Sequence, residues 1–221
     1  MSLVRYQVLV FDWDGTLIDS EGRIVDAMQC AAAQLRLPVP SQPEVSEIIG
    51  LGLKEALSRL FPHSDGVTQE QLIATYRDHF MIHSKIESPL FDNVEKTLQS
   101  LINVGYRLAI ATGKGRRGLD HALRETALSQ YFHASRCADE TASKPNPQML
   151  NELMAELGAK ANEMLMIGDT EYDMEMAQLA GADSLAVSYG VHALARLQRF
   201  APAGYIDAID ELPTWLKRQA S

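Results

Sequence analysis

The sequence predicts an α/β fold, a doubly wound parallel sheet into which a small helical domain is inserted, and three observations carry that expectation. Apolar runs end abruptly in carboxylates or a hydroxyl at residues 8–11, 108–111 and 164–167. Uninterrupted runs of this kind suit strands covered on both faces, as in the middle of a parallel sheet. From residue 90 onward such runs alternate with amphipathic helical stretches, the pattern of right-handed βα crossovers. Between about residues 20 and 85 there are helical periods only and no convincing strand.

The first strand is Val8-Leu9-Val10-Phe11, with Asp12 and Asp14 at its end and Gly15 freeing the backbone to turn. Ser20 then stands where a helix cap belongs, ahead of an apolar stripe at Ile24, Val25, Met28, Ala32 and Leu35 that Pro38 and Pro40 stop. Short helices are expected from Glu44 to Ile49 and from Leu53 to Leu60, on either side of Gly50-Leu51-Gly52, and Leu72, Ile73, Tyr76 and Phe80 mark a longer one. After Pro89 the stripe Val94, Leu98, Leu101 and Ile102 closes at Gly105. Strands follow at 108–111, less strongly from Phe132 to Cys137, then at 164–167 and from Ser184 to Val187. Helices around 116–126, 147–157 and 172–180 lie between them. Residues 1–19 and 86–221 should therefore form the sheet domain and 20–85 the helical insert. Fraying is expected after Trp215.

Length and composition bound the partners. A chain of 221 residues that is 46% hydrophobic and 22% charged can bury one large core with a satellite domain. Its net charge of -9 argues against nucleic acid or an anionic membrane as a general partner. Cys30 and Cys137 fit no metal spacing and read as free thiols, which favours a cytoplasmic address. No stretch reads as a signal peptide or a membrane span. Ser2-Leu3 reads equally as native sequence or as an expression scar. A monomer or homodimer is expected.

Four clusters carry chemistry. Asp12 and Asp14, two apart, point the same way if the strand continues through them, so each raises the cost of ionising the other and the pair asks for a cation, for separated protonation states, or for both. Thr112-Gly113-Lys114-Gly115 sets a hydroxyl and backbone N–H groups at a helix entry, a phosphate-binding arrangement. Lys144 precedes Pro145-Asn146-Pro147, with Asn146 suited to the cap and Pro147 to the first turn. Asp169 and Asp173, four apart across a helix start, can face one point above the sheet edge. Other groupings read as surface or structure. His79 and His83 share a helix face without a third metal ligand, Arg116 and Arg117 belong to a helix surface, and Gly50-Leu51-Gly52 lacks the setting of a dinucleotide loop.

In this order, the strings DWDGT, Thr112-Gly113, SKPNP and GDTEYDMEMAQLAG resemble the four motifs of the haloacid dehalogenase superfamily of hydrolases. The likeness covers about residues 7–20 and 90–190. The insert is similar in size and helicity to the cap of the phosphoglycolate phosphatase and β-phosphoglucomutase branch. Phe91-Asp92-Asn93-Val94 and Gly113 depart from the residues common in relatives. The resemblance implies a Rossmann-like core and an Mg²⁺-dependent phosphatase of small phosphorylated metabolites. Asp12 would be the nucleophile that forms an aspartyl-phosphate, Asp14 the general acid and base, and Lys144 the group that holds nucleophile and phosphoryl oxygens together. It further implies Thr112 and Gly113 as phosphate contacts and Asp12, Asp14, Asp169 and Asp173 as the metal site, with Asp169 the more direct ligand of the last two. Glu171 and Glu175 are expected to be solvated. Lys54, beside the Gly50-Leu51-Gly52 loop of the insert, is the candidate for a second anion contact. A phosphomutase and a non-catalytic phosphate-binding module are the alternatives, and the acid at Asp14 argues against the module and against a dehalogenase.

Overall fold

The computed structural model describes residues 5–219; Ser2-Leu3 lies outside them. Six strands, β1 (Val8–Phe11), β2 (Arg107–Thr112), β3 (Ala134–Cys137), β4 (Met164–Gly168), β5 (Asp183–Val187) and β6 (Gly204–Ile206), form one parallel sheet in the order β3-β2-β1-β4-β5-β6. The doubly wound sheet expected from the sequence is present. It gains β6, a strand of three residues with no apolar run to announce it.

Helices α1 (Glu21–Gln34), α2 (Gln42–Ser46), α3 (Leu53–Leu60) and α4 (Gly66–Asp78) follow β1, and α4 continues into a π-helical turn at His79–His83. Then come α5 (Val94–Val104), α6 (Arg116–Thr126), α7 (Gln148–Leu157), α8 (Glu171–Ala180), α9 (Leu194–Leu197) and α10 (Leu212–Gln219). None of these helices is long and apolar enough to cross a membrane.

β1 is buried along its whole length because both faces of the sheet are covered. Leu9, Phe11, Leu108, Ile110, Leu165 and Ile167 point into one apolar layer, shared with Leu98 and Leu101 of α5 and Leu216 of α10. Val8, Val10, Ala109, Ala111, Met164 and Met166 point into the other, against Met149 and Leu153 of α7 and Met176 of α8. Alternation of side chains along each strand divides the two layers. The insert has a cluster of its own, with Ile24, Met28, Val45, Leu57 and Leu72 at its centre, to which α8 contributes Tyr172.

Local details differ from expectation in instructive ways. Ser20 directly precedes α1, but its hydroxyl donates to Asp14 Oδ1 and makes no cap bond. α2 starts earlier than the apolar spacing implies because Ser41 and Glu44 form a capping box. α7 starts at Gln148, whose N–H donates to Asn146 Oδ1 at 3.0 Å, so Asn146 closes an Asx-type turn and Pro147 takes the cap position. Helix α10 continues past Trp215 to Gln219.

Because Leu57 sits at the centre of the insert's own cluster, Leu57→Ala should cost about 2–5 kcal/mol. Amide exchange should accelerate in α1, α3 and α4 well before it does in the sheet. Equal acceleration in both would mean that the insert has no separate cooperativity.

Candidate active site

Strand register brings the site together. Phe11 is level with Ile110 of β2 and Ile167 of β4, so Asp12, Thr112 and Asp169 leave the sheet at one edge. This edge lies where the strand order reverses on either side of β1, the crevice in which open α/β sheets bind ligands. Trp13, between the two acids, is buried on the opposite side and packs edge-on against Phe132. Gly15 turns the chain with φ +78, and a Cβ there would fall on the Asp169 carboxylate.

Lys144 is the centre of charge. Its ammonium lies 2.8 Å from Asp12 Oδ1 and 2.6 Å from Asp173 Oδ1, with all three side chains buried. Burial alone would lower the lysine pKa, but Asp12 and Asp173 outweigh it and hold the ammonium protonated above its ordinary range. Asp173 is committed twice, since its other oxygen accepts from Thr170 N at 3.1 Å and Thr170 Oγ1 at 2.7 Å, forming the capping box of α8. Asp169 accepts from Thr16 Oγ1 and from Val191 N, each at 2.9 Å. Asp12 is different. Its Oδ1 meets only the Lys144 ammonium, and its Oδ2 has no protein partner among the described residues.

Carboxylate oxygens of Asp12, Asp169 and Asp173 lie within 4.8 Å of one another. Burial pushes the Asp12 carboxyl well above the usual carboxylate range against the pull of Lys144, and Asp173 and Asp169 add to that push. Burial and the neighbouring Asp173 drive Asp169 up to about 7. An oxygen-only, anionic cluster of this kind suits a hard divalent cation.

The other residues singled out in the sequence fall as follows. The Asp14 carboxylate is not among those three; it pairs with Lys114 Nζ at 2.9 Å and accepts from Ser20. Thr112 is fully buried, and its hydroxyl accepts from Lys114 N at 3.1 Å. Gly113 meets the insert directly: a Cβ on it would lie 2.7 Å from Gly50 O and closer still to Leu51 O. Gly52 N donates to Ser143 Oγ at 2.8 Å, so the Gly50-Leu51-Gly52 loop does reach the sheet edge. Lys54 does not. It is exposed on α3, whose buried side carries Ala56 and Leu57, while Leu53 and not Lys54 lines the cavity below.

Lys114 supplies the cation beside Asp14. Its only signal in the sequence was its place in the glycine-rich helix entry. Ser20, Thr16 and Val191 are further partners that the motifs did not disclose. His79 pairs with Asp26 and His83 with Asp78. Glu171 is bound by Arg196, not left to solvent. Arg116 is tied to Glu140 and Asp120.

Between the insert and the sheet edge is a cavity of about 600 Å³ that reaches Asp14, Gly113 and Lys114. A doubly wound sheet at whose edge the strand ends, the loop after β3 and the start of α8 bring three carboxylates, a buried lysine and a hydroxyl to one crevice defines an α/β enzyme built around anionic chemistry. The family described as haloacid dehalogenase-like hydrolase matches residues 9–187, and the chain belongs to it. It is 30% identical to a phosphoglycolate phosphatase of Colwellia psychrerythraea over 99% of this chain and 100% of that one. It is 28% identical to the pyrophosphatase PpaX of Bacillus mycoides, over 97% of this chain and 99% of that one. The crystal structure of a hydrolase from Pseudomonas syringae superposes with a TM-score of 0.88 at 22% identity, over 97% of this chain and 100% of that one, a likeness of fold.

The contact between Gly113 and the insert loop generates a sharp expectation. Gly113→Ala should drive the carbonyls of Gly50 and Leu51 away from the sheet edge and break the Gly52 N–H bond to Ser143. Hydrogen exchange at residues 50–53 should rise by an order of magnitude or more, and unchanged protection there would contradict the contact.

Proposed function

We propose that this hydrolase is an Mg²⁺-dependent phosphatase of small phosphorylated metabolites that works through an aspartyl-phosphate on Asp12. The observation that carries this reading is the state of Asp12: a buried carboxylate with one oxygen held 2.8 Å from the Lys144 ammonium and the other without a protein donor among the described residues. Such an anion is poorly solvated and directed into the crevice, as a nucleophile should be.

In the first step an Asp12 oxygen forms a bond to phosphorus as the ester P–O bond breaks, and Asp14 delivers a proton to the leaving oxygen. In the second, Asp14 takes a proton from water as that water attacks phosphorus, and the acyl–phosphate bond breaks to return the Asp12 carboxylate and release phosphate. Lys114 and Ser20 hold the Asp14 carboxyl in place for both transfers. Lys144 and Thr112 stabilise charge on the phosphoryl oxygens.

Asp12, Asp169 and Asp173 fit the metal by donor type, burial and mutual approach. Mg²⁺ held there would neutralise phosphoryl charge and the mutual repulsion of the carboxylates. Asp14 serves as the acid and base, its carboxylate being engaged elsewhere. Residues 20–85 act as a cap that encloses the substrate, a role supported by their separate apolar cluster and by the loop that meets Gly113. With Cys30 and Cys137 as free thiols, the reading includes a cytoplasmic address and a monomer or homodimer.

Asp12→Asn should abolish release of phosphate, which the wild type should achieve with Mg²⁺ and no bisphosphate primer. Asp14→Asn should still label on Asp12 with an activated aryl phosphate, yet turn over about 10²–10⁴-fold more slowly. Normal turnover by the Asp12→Asn protein would end the mechanism.

Proton linkage gives an independent check. Raised pKa values at Asp12 and Asp169 mean that part of the pair is protonated near neutrality in the metal-free protein, whereas a bound cation requires both carboxylates ionised. Mg²⁺ affinity should therefore climb as pH rises through about 7. Titration calorimetry in two buffers of different ionisation enthalpy should register proton release, and heats that do not depend on the buffer would place the cation elsewhere.

A further inference from the structure

The wall of the cavity identifies the part of the substrate that is not phosphate. At its floor are Asp14, Gly113 and Lys114. Its sides are Ile24 and Met28 of α1, Ile48 and Leu51 of the insert loop, and the rings of Tyr76 and Phe80. A volume of about 600 Å³ is that of a pocket for a whole small molecule and far exceeds what a phosphate and a two-carbon fragment occupy.

Charged groups within reach of that space are already matched or lie at the solvent. The Lys114 ammonium is 2.9 Å from Asp14 and stands 4.7 Å from the centre of the Phe80 ring. His121 pairs with Glu125, and Arg77 and Arg117 are exposed residues at the mouth. A carboxylate or a row of hydroxyls placed against Ile24, Met28, Ile48 and Leu51 would lose water with little return, since the uncharged side-chain donor on that wall is the single Tyr76 hydroxyl.

We propose that the substrate is a phosphate monoester with an apolar body, alkyl or aryl, that fills this cavity, and not a phosphorylated two-carbon acid or pyrophosphate. The inference rests on the phosphatase reading above and extends it from the reacting group to the leaving group. Phosphate goes to the sheet edge, the ester oxygen lies at Asp14, and the body is received by the apolar wall of the insert.

The test is a homologous series, from ethyl to hexyl phosphate, whose members share a leaving-group pKa and differ only in apolar length. With Mg²⁺, kcat/KM should rise by roughly fourfold per methylene until the cavity is full. Phosphoglycolate and pyrophosphate should fall below butyl phosphate. Binding of the matching alkyl phosphonates to the Asp12→Asn protein should show the same slope without turnover. Leu53→Gln and Met81→Gln, which alter half-buried positions of the same wall, should flatten it. A flat series with measurable phosphate release would overturn the apolar-body assignment and leave the phosphatase standing. If no ester is hydrolysed the phosphatase reading falls, and the phosphonate series alone then decides the apolar wall: a rising series supports it and a flat one overturns it.

Discussion

A single buried ammonium makes the rest of this site possible. Asp12, Asp169 and Asp173 are buried with Lys144, so full ionisation would set three negative charges against one positive. Without the lysine the group would have no internal counter-charge, and removing one partner from a buried pair typically costs about 3–5 kcal/mol. Lys144 also acts mechanically. It joins the loop after β3 to Asp173, and Asp173 closes the first turn of α8 through Thr170. Charge balance at the crevice and the start of a helix are thus one arrangement.

That helix also ties the insert to the sheet. Tyr172, beside Asp173, lies in the apolar cluster of the insert, and its hydroxyl donates to Glu47 O at 2.7 Å. Arg196 bridges Glu171 and Glu47 across the same boundary. Three consecutive residues of α8 therefore reach the insert, a surface ion pair and the buried lysine. The position of the insert and the geometry of the carboxylates share a single turn of helix as their reference.

Much of this was legible in the text of the chain because buried parallel strands and the chemistry at their ends leave local signatures. Val8–Phe11 and Met164–Gly168 were visible as apolar runs, and Asp12, Thr112, Lys144, Asp169 and Asp173 followed from their places beside strands or helix starts. What was not legible depends on three dimensions. Ser20 has the look of a cap, yet its hydroxyl donates to Asp14 and makes no cap bond. Lys54 sits beside a glycine loop that does descend on the site, but one residue of helical rotation turns it to solvent. Lys114 was hidden among glycines, and β6 is too short to carry a pattern. Fold class needs only periodicity; the partner of a given charge needs the tertiary path.

Two glycines far apart in the chain hold Asp169 between them. A Cβ on Gly15 would strike its carboxylate and one on Gly190 would strike its Cβ and Cγ. Only Gly15 belongs to a recognisable motif, so Gly190 is the more informative letter. In any relative that keeps this backbone, a side chain at either position evicts the carboxylate even where every acidic motif is intact. Such a sequence would keep every acidic letter and lose the packing that sets this carboxylate beside Asp12 and Asp173.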